Sequence, residues 1–182
     1  MTSVITINST ALTALLTSLQ QRTGNMQPIL SAIGEDIMER TKQRFSTGTA
    51  PDGTPWAANS QATLMRYLNK NEKKSPGKVF SAKSGKISAK GKGLAMSKRP
   101  LIGESGSLAG QFHVSSDASS VTVGSTMKYA AMQQFGGKKS QFPNLWGDIP
   151  ARPFLPITAA GTFYPEEERL IVDTLRRYLA EP

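Results

Sequence analysis

The sequence contains no cysteine and only one histidine among its 182 residues. Without cysteine the chain cannot form disulfides, thiolate zinc sites, iron–sulfur clusters or a cysteine nucleophile. A metal site built from a histidine pair is excluded as well, because His113 has no second histidine to join it. The lack of cysteine also fits a reducing compartment. We therefore expect neither a bound metal nor a cofactor.

Long hydrophobic runs are also missing. The longest uninterrupted apolar run is the four residues 129–132, whereas a membrane-spanning helix needs about 20. The first basic residue is Arg22, so the start of the chain lacks the charged and apolar regions of a secretory signal. We expect no membrane partner, and a protein that stays where it is made.

Groupings of catalytic residues are equally scarce. A Ser-His-Asp triad would need His113 as its base, and no G-x-S-x-G elbow occurs. The stretch 124–130 contains glycine, serine and lysine without the spacing of a phosphate-binding loop. Glu166, Glu167 and Glu168 stand where a helix begins, so we interpret them as charges that stabilise the helix dipole. These absences favour a protein that is not an enzyme.

One stretch concentrates the positive charge of the chain. Between Lys70 and Arg99 there are ten basic residues and a single acid, Glu72, which account for the whole formal net charge of +9. This lysine block is rich in serine and glycine and poor in large apolar residues, a composition typical of mobile segments. We predict a long flexible basic insertion at about 70–99. The few side chains in it that could dock are Val79, Phe80, Ile87, Leu94 and Met96.

The lysine block has two interpretations. One is a solvated linker, and the other is a sequence-independent, salt-sensitive contact with a phosphate backbone. Phe80 is its one aromatic residue, so the lysine block offers almost no side chains on which bases could stack. The side chains for such non-specific contact with DNA would be Lys73, Lys74, Lys78, Lys83, Lys86, Lys90 and Lys92.

Hydrophobic periodicity predicts helices near both ends of the chain. Apolar residues spaced by three and four predict one helix over residues 12–19 and a second from Pro28 to Phe45. A short helix capped by Asn59 or Ser60 comes next, and a last helix follows Pro165. The residues of the last helix that should face inward are Leu170, Ile171, Leu175 and Leu179.

A hairpin is predicted between these helices. Apolar and polar residues alternate from Leu108 to Val114, and again from Val121 to Val123. A brief helix over residues 127–135 follows. The proline-rich stretch 142–156 can be neither a helix interior nor a central strand, so we predict an extended or edge segment. The expected fold is one α+β domain over residues 1–182, with a small antiparallel sheet and packed N- and C-terminal helices.

Four motifs along the chain resemble, in order, those of a known family. They are RFSTGTAPDGTPW at 44–56, LIGESGSLAGQF at 101–112, VTVGSTMKYAAMQQFGG at 121–137 and IPARPFLPIT at 149–158. In this order they are similar to the phage virion-morphogenesis family, the tail-completion and head-tail joining proteins of Mu-like bacteriophages. The similarity extends from the second helix to the carboxyl terminus, and the lysine block falls in a region of variable length.

The resemblance implies an α+β fold and residues with structural or interface roles. One position departs from the family pattern, because Gln133 stands where histidine is usual, and this favours polar packing or contact there. The residues that match the family motifs are Phe45, Pro51, Asp52, Gly53, Trp56, Gly106, Leu108, Tyr129, Ala130, Phe135, Gly136, Gly137, Pro150, Arg152, Pro153 and Phe154.

The resemblance also implies a function. The expected protein is structural, completes the phage tail or joins it to the head, and acts as a homo-oligomeric ring. Its partners would be tail-tube, connector or neck proteins, and its location the tail or neck of a virion assembled in the bacterial cytoplasm. From the residues alone, two alternatives remain open. They are a nucleic-acid-binding module that uses the lysine block and a hydrolase built on Glu104 or Asp52.

Three residues carry local predictions. Trp56 and Phe154 lie beside turn-forming prolines, so we expect both to be mostly buried and to anchor irregular loops to the core. Arg152 is held between Ala151 and Pro153 in a stiff extended segment. Its guanidinium is therefore preorganised for a two-pronged contact with a carboxylate or a run of carbonyls.

Overall fold

The computed structural model describes residue 20 and residues 23–103, 106–145 and 147–180. The helix predicted over residues 12–19 lies outside this part. The described elements are α1 (Gln27–Thr47), α2 (Gln61–Lys74), α3 (Ala89–Ser97), α4 (Ser107–Gly110), β1 (Phe112–Ser116), β2 (Val121–Ser125), α5 (Ala130–Phe135) and α6 (Pro165–Ala180). No described helix is both long and apolar enough to cross a membrane.

Helix α1 confirms the predicted helix from Pro28 to Phe45. Pro28 occupies the first turn, where its missing N–H breaks no helical hydrogen bond. Gly48 ends the helix with a φ of 73°, and its N–H donates to the carbonyl of Arg44 at 2.7 Å. Because a residue with a side chain is strained at that φ, glycine is the natural stop here.

The predicted hairpin is also confirmed, and it makes the fold α+β. Strands β1 and β2 pair antiparallel with Val114 opposite Val123. The sheet lies against α1 at Gly34, where an added Cβ would stand 2.5 Å from a methyl group of Val114 and 2.7 Å from one of Val121. Glycine at this position therefore allows helix and sheet to approach closely.

The predicted strand start at Leu108 is wrong. Residues Ser107–Gly110 form the helical turn α4 instead, directly after Gly106, which has a φ of 61°. The turn brings Leu108 into the core, where it is 3% exposed. Burial of one leucine thus outweighs the alternating pattern, and the strand begins only at Phe112.

The buried apolar side chains form two clusters. The first joins distant parts of the chain, and its members are Phe45, Ala50, Trp56, Leu108, Ala130 and Phe154. The second consists of the isoleucines of α1, with α6 packed against it through Ile171, Leu175 and Tyr178. Its isoleucines are Ile29, Ile33 and Ile37. Leu170 and Leu179, also predicted to face inward, are half-buried.

The lysine block has defined local structure. Helix α2 continues to Lys74, Phe80 and Ile87 form an antiparallel bridge, and α3 follows with the Ser88 hydroxyl accepting from the N–H of Gly91 at 3.1 Å. Val79 is 1% exposed. The low apolar content of the lysine block therefore does not prevent local structure, and Val79 is one of the side chains expected to be able to dock. Mobility of this unit relative to the core stays a prediction.

Glu72, the only acid of the lysine block, explains much of this order. Its carboxylate accepts hydrogen bonds from the backbone N–H groups of Gly77, Val79 and Phe80, the last two at 2.7 and 3.1 Å. These bonds, the one from Gly77 first, lower the pKa of Glu72 below its usual value. This single carboxylate therefore holds the chain that follows α2 in place through hydrogen bonds, in a region that lacks a larger apolar core.

Candidate functional site

Residues from all four motifs meet in the first buried cluster. The ring of Phe45 lies 5.3 Å from that of Trp56, 5.3 Å from that of Phe154 and 6.0 Å from that of Phe112. Leu108 and Ala130 complete the cluster. Tilted and edge-on aromatic contacts of this kind add specificity to apolar burial. The motifs are therefore separate in sequence and joined in space.

The first motif forms a compact loop that ends on Trp56. The Asp52 carboxylate accepts from the hydroxyl and the N–H of Thr54, the latter at 3.0 Å, and these bonds lower the pKa of Asp52. Gly53 supplies a φ of 81° in this loop, after Pro51. Because its carboxylate is committed to the turn, Asp52 serves a structural role. Glu104, the other acid considered for hydrolysis, lies outside the described residues.

Trp56 and Phe154 are buried, as predicted. Their exposed fractions are 7% and 0%. The backbone N–H of Trp56 donates to the carbonyl of Gly48 at 2.8 Å. The indole Nε1 of Trp56 donates to the carbonyl of Pro153 at 2.7 Å. The indole thereby connects the first motif to the fourth.

Arg152 makes the predicted two-pronged contact, and its partners are carbonyls. Its Nε donates to the carbonyl of Ala57 at 2.8 Å, and its Nη2 donates to that of Ala58 at 2.9 Å. Burial lowers the pKa of Arg152. The guanidinium therefore holds the chain that follows Trp56 against the proline-rich segment.

Gln134 is a structural residue that the sequence patterns do not reveal. It is 1% exposed, and its Oε1 accepts from the N–H groups of Phe154 and Leu155 at 2.8 and 2.9 Å. Its Nε2 donates to the carbonyls of Leu155 and Ile157 at 3.3 and 3.0 Å. One amide thus supplies the hydrogen bonds that a neighbouring strand would give to the extended segment.

A buried ion pair, also missed from the sequence, connects α1 to α6. The side chain of Glu167 is 3% exposed and forms ion pairs with Arg44 and Arg40. Nε of Arg40 lies 3.2 Å from Oε2 of Glu167. Arg44 further donates to the carbonyl of Phe154 at 2.7 Å. Burial, the largest influence, lowers the pKa of Arg44, whereas Glu167 raises it. The interpretation of Glu166, Glu167 and Glu168 as dipole charges therefore omits the main role of Glu167.

A groove of about 400 Å³ opens beside this core, and motif residues line it. Among them are Leu108, Tyr129, Gln133, Pro150 and Arg152. Gln133 is half-buried in the groove wall, and the polar packing or contact expected of its side chain stays a prediction. Tyr129, in the lining of the groove, is 47% exposed, and Phe135, at the end of α5, is 43% exposed.

Two glycines let the backbone on either side of this groove come together. Gly136 has a φ of 72°, and an added Cβ there would stand 2.7 Å from the backbone nitrogen of Ala151. Gly137 exchanges backbone hydrogen bonds with Ile149 at 2.9 and 2.8 Å. Because of this pairing, the fourth motif runs beside the end of α5.

The lysines proposed for DNA contact do not share one face. Lys74 lines a cleft beside α1, whereas Lys73 lines a different surface of α2 together with Met65. The remaining five are exposed side chains beyond α2, namely Lys78, Lys83, Lys86, Lys90 and Lys92. Within the described ranges, no cluster of three or more metal-binding side chains occurs.

The family comparison agrees with this geometry. The model of the phage virion morphogenesis family matches residues 7–86 and 68–180, which include all four motifs and the residues of the core that joins them. No curated protein and no solved structure matches the chain.

Proposed function

Because the chain belongs to the phage virion morphogenesis family and is therefore a virion assembly protein, we propose that it completes the tail or joins the tail to the head. It acts through contacts with copies of itself in a ring, and through contacts with tail-tube, connector or neck proteins. No catalytic step is part of the proposed activity.

A band of exposed aromatic side chains supports a protein-binding role. Tyr129, Phe135 and Phe142 are 47%, 43% and 46% exposed. Tyr129 and Phe135 line two hollows that share Ile149, the pairing partner of Gly137, and Phe142 lies close to Gly137. Exposed aromatic side chains are enriched in protein interfaces, where they become the residues that contribute most to affinity. We call these three residues the aromatic band.

Charge distribution supports self-association at this band. Outside the lysine block the chain has 12 basic and 12 acidic residues. Two copies can therefore meet through the aromatic band with little net repulsion, provided that the lysine blocks point elsewhere. Head-to-tail contacts of this kind close into a ring when the rotation between copies allows it.

Virion incorporation tests the proposed function. Purified virions should contain the protein, and tails and heads analysed separately by mass spectrometry should show on which side it lies. Tyr129→Asp with Phe135→Asp should abolish incorporation without unfolding the protein. Phe163→Asp provides a matched control, since Phe163 is also 43% exposed but lies outside the band.

Two outcomes would refute the proposal. Absence of the protein from the particle, with normal particles formed when it is missing, would exclude a role as an assembly component. Incorporation of the double aromatic variant at the wild-type level would exclude the aromatic band as the contact surface.

A further inference from the structure

The order within the lysine block is more than a linker requires. Glu72 holds the chain after α2 through three backbone amides. The Ser88 hydroxyl caps α3 and also donates to the carbonyl of Lys78 at 2.7 Å. At Gly91 an added Cβ would stand 2.4 Å from the carbonyl oxygen of Val79, so α3 lies directly on the preceding chain. A solvated linker needs no such contacts, because fixing a backbone costs conformational entropy.

This order fixes which side chains of α3 face the solvent. Gly91 is buried and Leu94 is half-buried, so these two residues mark the inner face of the helix. At about 100° per residue, Met96 lies on the opposite face, between Lys90 and Lys92. Both lysines are exposed, and Met96 is 88% exposed, more than any residue of the aromatic band. We call Lys90, Lys92 and Met96 the α3 face.

The charge of the lysine block indicates the chemistry of a partner. Residues 70–99 carry a formal net charge of +9, which is the whole net charge of the chain. Their single acid, Glu72, directs its carboxylate to backbone amides of its own segment. Complementary potentials steer proteins together and select partners. A surface that complements the α3 face is therefore acidic.

A second copy of this chain is a poor match for the α3 face. Outside residues 70–99 the basic and acidic residues balance at 12 each. Several of these acids form ion pairs with arginines of their own chain. The pairs are Asp36–Arg40, Glu166–Arg169 and Glu167–Arg44. The acidic surface is therefore expected on a different protein.

The exposed methionine favours a protein over a nucleic acid as the partner. A phosphate backbone gives Met96 no apolar surface to contact, whereas methionine is enriched in protein interfaces. Phe80, the one aromatic residue of the lysine block, is half-buried in its bridge with Ile87. It is therefore poorly placed to stack on bases.

We propose that the α3 face docks on an acidic surface of another virion protein, which also provides an apolar contact for Met96. This inference rests on the proposed contacts with tail-tube, connector or neck proteins, and it names the chemistry of one such contact. Because α3 is already ordered, docking costs less conformational entropy than it would for a flexible basic chain. The aromatic band remains the surface for contact between copies.

The binding test uses the isolated protein and a labelled peptide of about 20 residues, with two glutamates to every leucine, in fluorescence anisotropy at about 0.1 M salt. Lys90→Glu with Lys92→Glu should weaken binding more than about tenfold, because each substitution replaces an attraction by a repulsion. Met96→Ser should weaken it about fivefold through the lost apolar contact.

Lys138→Glu with Lys139→Glu is the matched control, since it makes the same change of charge at exposed positions outside the lysine block. Its affinity for the peptide should fall by less than about threefold, because salt screens charges that do not touch the peptide. Unchanged thermal melting of all variants would show that they fold.

Three binding results would overturn the proposal. Equal weakening by the two charge-reversal pairs would mean diffuse attraction to a positive protein. No peptide binding at low salt would exclude the α3 face as a site for acidic proteins. Tighter binding of a DNA duplex, with the same dependence on Lys90 and Lys92 but none on Met96, would assign the α3 face to nucleic acid.

Virion incorporation separates this inference from the proposed function. The variant Lys90→Glu with Lys92→Glu should be missing from purified virions, although its thermal melting is unchanged. Absence of the wild-type protein from virions would refute the proposed function, and the peptide assay would still decide the chemistry of the α3 face. Incorporation of this variant at the wild-type level would refute the present inference alone.

Discussion

The side-chain oxygen of Gln134 accepts a hydrogen bond from the backbone N–H of Phe154 at 2.8 Å, and this bond fixes where the fourth motif enters the core. Phe154 is fully buried, whereas Arg152, two residues earlier, binds the carbonyls directly after the first motif. The two contacts place the extended segment between α5 and the loop that ends on Trp56. The position of the groove and of the aromatic band depends on that placement.

Gln134→Leu should lower the free energy of unfolding by about 3 kcal/mol. Leucine preserves the volume but leaves the backbone N–H groups of Phe154 and Leu155 buried without acceptors, at about 1–3 kcal/mol each. Gln133→Leu is the control, because this neighbour is only half-buried and its substitution should change stability by less than about 1 kcal/mol. Similar losses for both variants in urea denaturation would contradict the role of Gln134.

Trp56→Ala should destabilise the protein by about 3–5 kcal/mol, because it leaves a cavity beside Phe45 and Phe154. Trp56→Phe keeps much of the ring and loses the hydrogen bond to Pro153, so its cost should be nearer 1 kcal/mol. Chemical denaturation followed by circular dichroism separates the two. An alanine variant as stable as the phenylalanine variant would mean that the indole does not anchor the loop.

Arg152→Lys should lower stability by about 1–3 kcal/mol. Lysine carries a point charge and cannot reproduce the planar contact with the carbonyls of Ala57 and Ala58. Arg66→Lys, at an exposed position of α2, should stay within about 0.5 kcal/mol of the wild type. If both variants melt at the wild-type temperature, the guanidinium contact has no structural role.

Glu167→Gln should destabilise the protein by about 3 kcal/mol, because it leaves Arg44 buried without its counter-charge. Glu168→Gln, next to it and exposed, loses only an interaction with the helix dipole of about 0.5 kcal/mol. Thermal melts at neutral pH compare the two. Equal effects would show that the dipole, and not the ion pair, explains these glutamates.

Asp117 should make stability depend on pH in a narrow acidic range. Hydrogen bonds from the backbone N–H of Ser119 and from Ser120 lower its pKa from 3.8 to about 2. A carboxyl with a lowered pKa in the folded state stabilises above its unfolded pKa and loses that contribution as pH falls through the folded value.

Asp117→Asn should therefore melt below the wild type at pH 6, and the difference should shrink between about pH 4 and pH 2. Melting temperatures measured across this range test the assignment. A difference that stays constant with pH would mean that the hydrogen bonds do not depend on the charge of the carboxylate.

Local chemistry alone determined several elements of this protein. Pro28 marks the start of α1 and Gly48 its end, and Ser60 caps α2. The alternation of apolar and polar residues marks the β1–β2 pairing from Phe112 onward. Each of these signals acts within a few residues. The burial of Trp56 and the two-pronged contact of Arg152 could likewise be predicted, since bulky or rigid neighbours limit what those side chains can do. That the partners are carbonyls and not a carboxylate was decided by the fold.

Only the tertiary structure decided the rest, because the partners are distant in sequence. In the sequence, Glu167 cannot be told from the other acids at the start of α6, because its partner Arg44 lies on α1. Gln134 likewise cannot be told from its neighbour Gln133, because the extended segment that it binds follows about 20 residues later. The lysine block follows the same rule, since Glu72 orders it through amides five to eight residues away. The cleft lined by Lys42, Tyr67 and Arg99 exists only because α1, α2 and the chain after α3 meet, since residues far apart in the sequence become neighbours only on folding.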